Sequence, residues 1–404
     1  MKRHLIGIGG VGMSALATAL VRLGDEVTGA DRTLGTPNIK FLESLGVKVF
    51  PDDGSGIDQA TDEVIVSTAI EGTNAGLIKA KELGIPVTHR AKALARTLKH
   101  CKLVAVVGTC GKSTVTAMLG HVLAECGLDP MCVNGANVPG WEGAVHFGKG
   151  EYAVAEVDES DRSLVAFKPY AAIVTNASAD HYSKEEMDEV FDAFVKDCEG
   201  PVIDGRGRLD VLEGLDALEV PVPGAHNRQN AEMAVRMAVA LGVSPDRAIA
   251  AMKTFRGVER RLQRYGANVY DDYAHNPEKL KAMWMTLAEK HPGGICVIWR
   301  PHGYAPLRKM MDALAAMFAE TVRPQDKLLL LPVYDAGGTT DRSVNSDELK
   351  SKVKGEVEQR IELVPDLDAA YAWCEAHKGD YAAFVTCGAR DPGLPVLARR
   401  LSEM

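Results

Sequence analysis

The 404-residue sequence contains neither paired cysteines nor a long apolar segment. Its eight cysteines are scattered without a C-x-x-C pair, which argues against a zinc site and against a disulfide framework. Reduced thiols are typical of cytosolic proteins, so we predict a cytoplasmic location. Because no run of 18 apolar residues occurs, the sequence predicts no transmembrane helix and no membrane partner.

Positive charge is also scarce in this chain. It has 46 lysines and arginines against 55 aspartates and glutamates, a formal net charge of -9. A chain with this balance has no broad basic field to hold a nucleic-acid backbone. We therefore expect no nucleic-acid partner, and we expect small-molecule substrates whose anionic groups meet local cations.

Short apolar runs alternate with amphipathic stretches along almost the whole chain, as in KLVAVVG, YAVAEV and ICVIWRP. This alternation predicts β-α-β units around parallel sheets. The length exceeds what one hydrophobic core usually serves. Composition changes at residues 90–102 and in the stretch FRGVERRLQRYGANVYDDYAHNP. We predict an α/β fold with three domains at residues 1–100, 101–258 and 259–404.

A glycine-rich turn, GIGGVG, follows the first apolar run and precedes a helical pattern. Gly7, Gly9 and Gly12 form G-x-G-x-x-G, and Asp31 closes the next predicted strand. Glycines at this spacing allow a pyrophosphate to approach a helix N-terminus. The alternative is a turn that serves only tight packing of strand against helix.

A second glycine-rich turn, GTCGKST at residues 108–114, has two residues between its glycines, where the usual phosphate loop has four. Backbone N–H groups from Gly108 to Lys112 would surround phosphate oxygens, Lys112 would add a point charge, and Ser113 would bind Mg²⁺. The alternative is an ordinary turn with a solvated lysine. The position between strand and helix favours ATP as the ligand.

Two polar loops follow later strands of the same predicted sheet. The first is DESD at residues 158–161, and the second, within IVTNASADHY, contains Asn176, Asp180 and His181. Mg²⁺ prefers hard oxygen ligands, and adjacent strand ends can bring such groups beside Ser113. The alternative is a pair of solvated loops.

The chain resembles the Mur ligases, ATP-dependent enzymes that add amino acids to the cell-wall peptide precursor. The resemblance covers nearly the whole chain through the ordered motifs AVVGTCGKST, DESD, TNASADH, PGAHNRQNA, GVERRLQ, DDYAHNP and RPHGY. The front stretch HLIGIGGVGMSALA, with VSTAI and GIPVTHRAKAL, is most similar to members that join L-alanine to the carboxylate of UDP-N-acetylmuramate, or that recycle murein peptide. The resemblance implies a Rossmann-like N-terminal domain, a central P-loop ATPase-type domain and a C-terminal Rossmann-like α/β domain.

The resemblance also implies roles for the matching residues, with ATP and Mg²⁺ as cofactors and a monomer or homodimer as the assembly. The implied catalytic residues are Lys112, His181 and Arg261, and the implied Mg²⁺ ligands are Ser113, Glu159 and His181. The implied ATP contacts are Gly108, Thr109, Gly111, Lys112, Ser113, Thr114, His226, Asn227, Asn230, Arg261 and Asp272. The implied contacts of the UDP substrate are Gly7, Gly9, Gly10, Gly12, Asp31 and Ser67. The residues expected beside the amino acid are His275, Asn276, His302 and Tyr334.

Several positions depart from the family pattern. The family usually has a histidine where Cys110 stands, and PHRYTR where this chain reads PHGYAP, so arginines are missing at Gly303 and Pro306. The stretch at residues 133–150 is shorter than usual, and Asp335 and Asp341 lie in a loop expected to face the amino acid. These two aspartates either receive a basic group or are solvated.

The departures leave three alternatives to L-alanine addition. The chain could be a ligase of the same architecture that acts on a different carboxylate or peptide. It could be a nucleotide-binding protein without turnover. It could also be an NAD-dependent dehydrogenase that uses the first glycine turn, although that function leaves the phosphate loop unexplained.

Overall fold

The computed structural model describes residues 1–158, 163–177, 184–207, 209, 211–335 and 341–404. The chain divides into two compact units, the first formed by Met1–Pro221 with His226–Val258 and the second by Val222–Ala225 with Glu259–Met404. Within the described residues, no helix is both long enough and apolar enough to cross a membrane.

The first sheet has five parallel strands in the order β3-β2-β1-β4-β5. Its elements are β1 (Lys2–Ile6), α1 (Val11–Arg22), β2 (Glu26–Asp31), α2 (Pro37–Ser44), β3 (Lys48–Pro51), β4 (Glu63–Val66), α3 (Ala75–Glu82), β5 (Val87–His89) and α4 (Arg90–Leu98). Helix α1 packs on the core that includes Leu5, whereas α3 packs with Ile6 on the opposite face. Adjacent strands β1 and β4 are thus followed by helices on opposite faces.

The second sheet has six strands in the order β11-β10-β6-β9-β7-β8, all parallel except β8. Its elements are β6 (Lys102–Val107), α5 (Lys112–Glu125), β7 (Met131–Val133), β8 (Val145–Phe147), β9 (Tyr152–Glu156), β10 (Ala171–Val174), α6 (Lys184–Val195), β11 (Val202–Asp204), α7 (Ala225–Ala240) and α8 (Pro245–Met252). Strands β6 and β10 are neighbours, which brings the loops that follow them together.

The first two sheets share one hydrophobic core. Leu16 of α1, Leu94 of α4, Ala105 of β6 and Phe191 of α6 belong to the same buried cluster. The connection between the two sheets is short, because α4 ends at Leu98 and β6 begins at Lys102. The separate domains at residues 1–100 and 101–258 therefore stay a prediction.

The third sheet lies in the second unit and has the order β12-β13-β17-β14-β15-β16, with β12 antiparallel to β13 and the other strands parallel. Its elements are β12 (Gln263–Tyr265), β13 (Val269–Asp272), α9 (Pro277–Lys290), β14 (Ile295–Trp299), α10 (Tyr304–Thr321), β15 (Lys327–Leu330), α11 (Ser346–Lys352), β16 (Ile361–Leu363), α12 (Leu367–Ala376), β17 (Ala383–Cys387) and α13 (Gly393–Ser402). Helices α9, α10 and α11 pack on one face, and α12 and α13 on the other.

The predicted α/β fold with mainly parallel sheets is confirmed. The apolar runs quoted above form strands β6, β9 and β14. The stretch FRGVERRLQRYGANVYDDYAHNP, in which the composition changes, contains the β12-β13 hairpin.

Candidate active site

The first glycine turn lies at the carboxyl end of β1, beside the end of β4. Gly7 has a φ of +74°, and Gly9 N–H donates to Asp31 Oδ2 at 2.8 Å. A Cβ at Gly9 would lie 2.9 Å from that carboxylate oxygen, so a larger residue there would have to displace the Asp31 side chain. Ser67 directly follows β4. This is the edge where α/β sheets bind ligands, since neighbouring strands lead to helices on opposite faces.

A positively charged side chain to which the sequence analysis gave no role lies beside this turn. Arg90, the first residue of α4, places Nη1 3.1 Å from the position that a Cβ of Gly12 would take. Gly12 lies in the first turn of α1, and the helix start at Gly10 has no side-chain cap. A guanidinium beside such a helix start favours an anionic group.

The phosphate loop joins β6 to α5 and bends back on itself. Gly108 and Gly111 have φ values of +128° and +84°. Lys112 Nζ donates to the carbonyl oxygen of Gly108 at 2.7 Å, and Ser113 and Thr114 lie buried at the start of α5. The loop thus brings a lysine, backbone N–H groups and a hydroxyl to one helix N-terminus, which is suited to a phosphate.

Asn176, which follows β10, holds this loop in place. Its Oδ1 accepts hydrogen bonds from Thr109 Oγ1 at 2.6 Å and from Cys110 N–H at 2.9 Å, and its Nδ2 donates to Cys110 O at 2.9 Å. Thr175 Oγ1 also donates to Cys110 O at 2.7 Å. Asn176 had been considered as an oxygen ligand for Mg²⁺; in the structure its amide is used to position the loop.

Helix α7 brings further predicted ATP contacts to the loop. Asn227 and Asn230 are buried near its start, and Asn230 Oδ1 lies 2.7 Å from the position of a Cβ on Gly111. His226, in the same turn, is exposed. Of the predicted Mg²⁺ ligands, Ser113 is described, whereas Glu159 and His181 lie outside the described residues, as does Asp180. The hydroxyl of Ser113 is a hard oxygen donor that fits Mg²⁺.

In the second unit, Arg260 and Asp272 tie the segment before β12 to the end of β13. Arg260 pairs with the fully buried Asp271 at 2.9 Å, and burial raises the pKa of Asp271 to about 6. Asp272 accepts backbone N–H groups from Leu262 at 2.7 Å and Ala274 at 2.8 Å. Arg261 lies over the ring of Tyr273, 4.8 Å from its centroid. The assignment of Arg261 and Asp272 to the nucleotide stays a prediction.

Two predicted amino-acid contacts, His275 and His302, lie together. Their ring centroids are 4.8 Å apart, and burial lowers the pKa of each to about 4. Asn276, in contrast, caps α9 by accepting the Lys279 N–H at 2.9 Å. The backbone N–H of Tyr334, after β15, donates to Pro301 O at 2.8 Å, which places that residue near the same strand ends.

Two protein-family models match this sequence. The model for "Mur ligase family, catalytic domain" matches residues 2–102, and the model for "Mur ligase, glutamate ligase domain" matches residues 258–390. The UDP-N-acetylmuramate–L-alanine ligase of Rhizobium etli is 30% identical, with 99% of this chain and 97% of that protein covered. The enzyme of the same name from Paenarthrobacter aurescens is 34% identical over 82% of this chain and 83% of its own length. The chain belongs to the Mur ligase family.

A solved Mur ligase has the same fold over its full length. It is the crystal structure of UDP-N-acetylmuramate-alanine ligase MurC from Thermotoga maritima, which is 26% identical in sequence. The superposition has a TM-score of 0.78 and includes 100% of this chain and 98% of the Thermotoga chain. A murein peptide ligase from Psychrobacter arcticus, at 20% identity and a TM-score of 0.67, shares the fold.

The two loop aspartates of this Mur ligase are paired with arginines. Asp335 lies 2.7 Å from Arg342, and Asp341 lies 2.7 Å from Arg308. Both carboxylates are exposed, so the structure supports solvated loop residues more than a receptor for a basic group. Sequence reasoning gave no role to Arg90 and considered Asn176 only as a ligand for Mg²⁺, because each of these side chains contacts a segment far away along the chain.

Proposed function

We propose that the protein is an ATP- and Mg²⁺-dependent amide ligase that joins L-alanine to the carboxylate of UDP-N-acetylmuramate in peptidoglycan precursor synthesis. The observation that carries this proposal is the similarity of nearly the whole chain to relatives of that name, together with a phosphate loop built as the reaction requires. The first glycine turn is assigned to the UDP substrate and the second to ATP. We further propose that the enzyme works in the cytoplasm.

The reaction has two steps. An oxygen of the substrate carboxylate attacks the γ-phosphorus of ATP, and the bond from phosphorus to the β,γ-bridging oxygen breaks. ADP is the leaving group, and the product is an acyl phosphate. The amine of the amino acid then attacks the acyl carbon, the carbon–oxygen bond to phosphate breaks, and the nitrogen releases its proton. Such phosphoryl transfer depends on positioning and charge neutralisation rather than on a protein nucleophile.

The residues of the chain suit these needs. Lys112 and the remaining loop N–H groups would hold the γ-phosphate, whereas the N–H groups of Thr109 and Cys110 donate to Asn176 and fix the conformation of the loop. Mg²⁺, held by Ser113 and by the predicted ligands Glu159 and His181, would neutralise phosphate charge. Cys110 contributes its backbone to the contacts with Asn176, which gives no support to a nucleophilic thiol.

The test is phosphate release from ATP and Mg²⁺ with UDP-N-acetylmuramate, in parallel reactions with each of the twenty amino acids or none. We expect release only when L-alanine is present, and its loss in Lys112→Ala. Lys253→Ala removes a lysine whose ion pair is exposed and serves as the control. ATP binding without turnover in any reaction would favour the second candidate, a ligase for a different acid, which the glycine at position 303 and the short 133–150 stretch motivate.

A further inference from the structure

The third sheet also has a point at which neighbouring strands lead to helices on opposite faces. Strands β14 and β17 are parallel neighbours, yet α10 follows β14 on one face and α13 follows β17 on the other. In α/β sheets the crevice at the carboxyl ends of two such strands is where ligands bind. His302 and Gly303 follow β14 at this edge, and Arg390 follows β17.

Arg390 faces the residues that follow β14. Its Nη1 lies 3.8 Å from the position that a Cβ of Gly303 would occupy. The backbone beside it is fixed, because Asp391 accepts the Gly393 N–H at 2.8 Å and pairs with Arg300. Arg390 is exposed, and it forms neither a hydrogen bond nor an ion pair within the described ranges. The contacts of Asp391 therefore fix the loop that carries Arg390, and the guanidinium of Arg390 can still donate hydrogen bonds at the edge of the sheet.

Other positive groups surround the same point. Lys279 is close enough to act electrostatically on both His275 and His302, and Arg261 acts on His275. Helix α10 begins at Gly303 without a side-chain cap and without an acidic residue in its first turn. The carboxylates of Asp272 and Asp391 are already hydrogen-bonded elsewhere. This part of the sheet edge therefore favours an anion.

We propose that Arg390 binds the α-carboxylate of the incoming amino acid. This inference rests on the proposed function, in which both glycine turns of the first unit take the phosphate-bearing substrates. The carboxylate is the only anionic group of the remaining substrate, L-alanine. A guanidinium can bind a carboxylate through two parallel hydrogen bonds, which a lysine cannot reproduce. Arg390 thus supplies, from the neighbouring strand, the group that the family pattern carries at position 303.

The space at Gly303 allows a test by exchange. The φ of Gly303 is +159°, a value that L residues rarely adopt, so an arginine there carries backbone strain, but the nearest atoms to an added Cβ leave room for it, with Pro306 Cδ at 3.5 Å and Arg390 Nη1 at 3.8 Å. Steady-state kinetics would be measured for Arg390→Gly, for Arg390→Lys and for Gly303→Arg combined with Arg390→Gly. Arg400→Gln, which removes an exposed arginine paired with Asp368, is the matched control.

We expect Arg390→Gly to raise the KM for L-alanine about tenfold or more, as loss of a charged hydrogen bond does. The kcat and the KM values for ATP and UDP-N-acetylmuramate should stay near those of the wild type. The KM of Arg390→Lys for L-alanine should lie between those of the wild type and of Arg390→Gly. The double variant should recover much of the lost affinity for L-alanine. Melting temperatures would show that each variant is folded.

Two kinds of result would overturn the inference. An unchanged KM for L-alanine, or an effect confined to kcat or to the KM for ATP, would mean that Arg390 does not bind the amino acid although the ligase is active. Absence of L-alanine-dependent turnover in the wild type would overturn the proposed function, and this inference with it.

Discussion

Asn176 shows at the scale of one residue how a half-buried amide can prepare a loop for catalysis. Both ends of its side chain bind the phosphate loop, through Thr109 and through the backbone of Cys110. The loop N–H groups that would meet phosphate are therefore oriented before ATP arrives. Preorganised donors of this kind cost no reorganisation at the moment of reaction.

Replacing Asn176 should impair ATP use more than stability. Asn176→Leu leaves the N–H and the carbonyl oxygen of Cys110 without their hydrogen bonds to Asn176. This change should destabilise this conformation of the loop by about 1 to 3 kcal/mol. Asn176→Asp keeps the acceptor but brings a negative charge beside the phosphates. We expect both variants to raise the KM for ATP, with the larger effect in Asn176→Asp, as measured by phosphate release at varied ATP. Equal KM values in all three proteins would contradict the role of Asn176.

His4 should make stability depend on pH. Its Nδ1 lies 2.9 Å from Thr28 Oγ1, its Nε2 has no partner among the described residues, and burial lowers its pKa from 6.5 to about 4. Between these values the unfolded chain binds more protons than the folded protein, so the free energy of unfolding rises as pH increases from about 4 to about 6.5.

The variant His4→Gln should show a shallower rise over this range in urea unfolding at a series of pH values. His100→Gln replaces an exposed histidine and is the control. The role assigned to His4 would be wrong if both variants had the same pH dependence as the wild type.

At the scale of elements, the close approach of the β6 and β10 ends shapes the phosphate loop. A Cβ on Gly108 would lie 2.1 Å from Thr175 Oγ1 and 2.9 Å from Asn176 O. Gly127, after α5, also has a positive φ, +82°, but nothing lies within 4 Å of its Cβ position. Substituting Gly127 therefore tests backbone strain alone, whereas substituting Gly108 tests backbone strain together with the contact between the strand ends.

Gly108→Ala should therefore be far more harmful than Gly127→Ala. The second variant has only left-handed strain, about 1 to 2 kcal/mol. The first must also move the loop away from β10, and a displacement of about 1 Å can lower a rate on the order of 100-fold. Phosphate release and melting temperature would be measured for both. Similar turnover in the two variants would show that the contact with β10 is unimportant.

Strand β13 marks the limit of prediction from sequence at this scale. Its residues Asp271 and Asp272 are polar and look like part of a loop, yet both are buried. They are tolerated there because Arg260 and two backbone N–H groups, from Leu262 and Ala274, meet their carboxylates. Those partners become visible only when the chain is folded, whereas purely apolar strands such as β6 could be recognised from composition alone.

At the scale of the whole molecule, each of the three sheets carries candidate site residues at the carboxyl ends of its strands. The sequence was sufficient to locate the two glycine turns, because strand, turn and helix signals are local, whereas the segments of His275 and His302 were identified through the resemblance to the Mur ligases. It could not show that Arg90 accompanies Gly12 or that Arg390 faces Gly303. Such pairs depend on strand order, which no local pattern contains.

The central claim is that a substrate carboxylate is activated by ATP through an acyl phosphate. It is tested most directly with UDP-N-acetylmuramate labelled with ¹⁸O in its carboxylate, followed by mass spectrometry of the phosphate released in the presence of ATP, Mg²⁺ and L-alanine. The account predicts that each phosphate carries one oxygen from the labelled carboxylate and that the amide product appears in equal amount. Unlabelled phosphate would contradict it, because ATP would then be cleaved without activation of the acid.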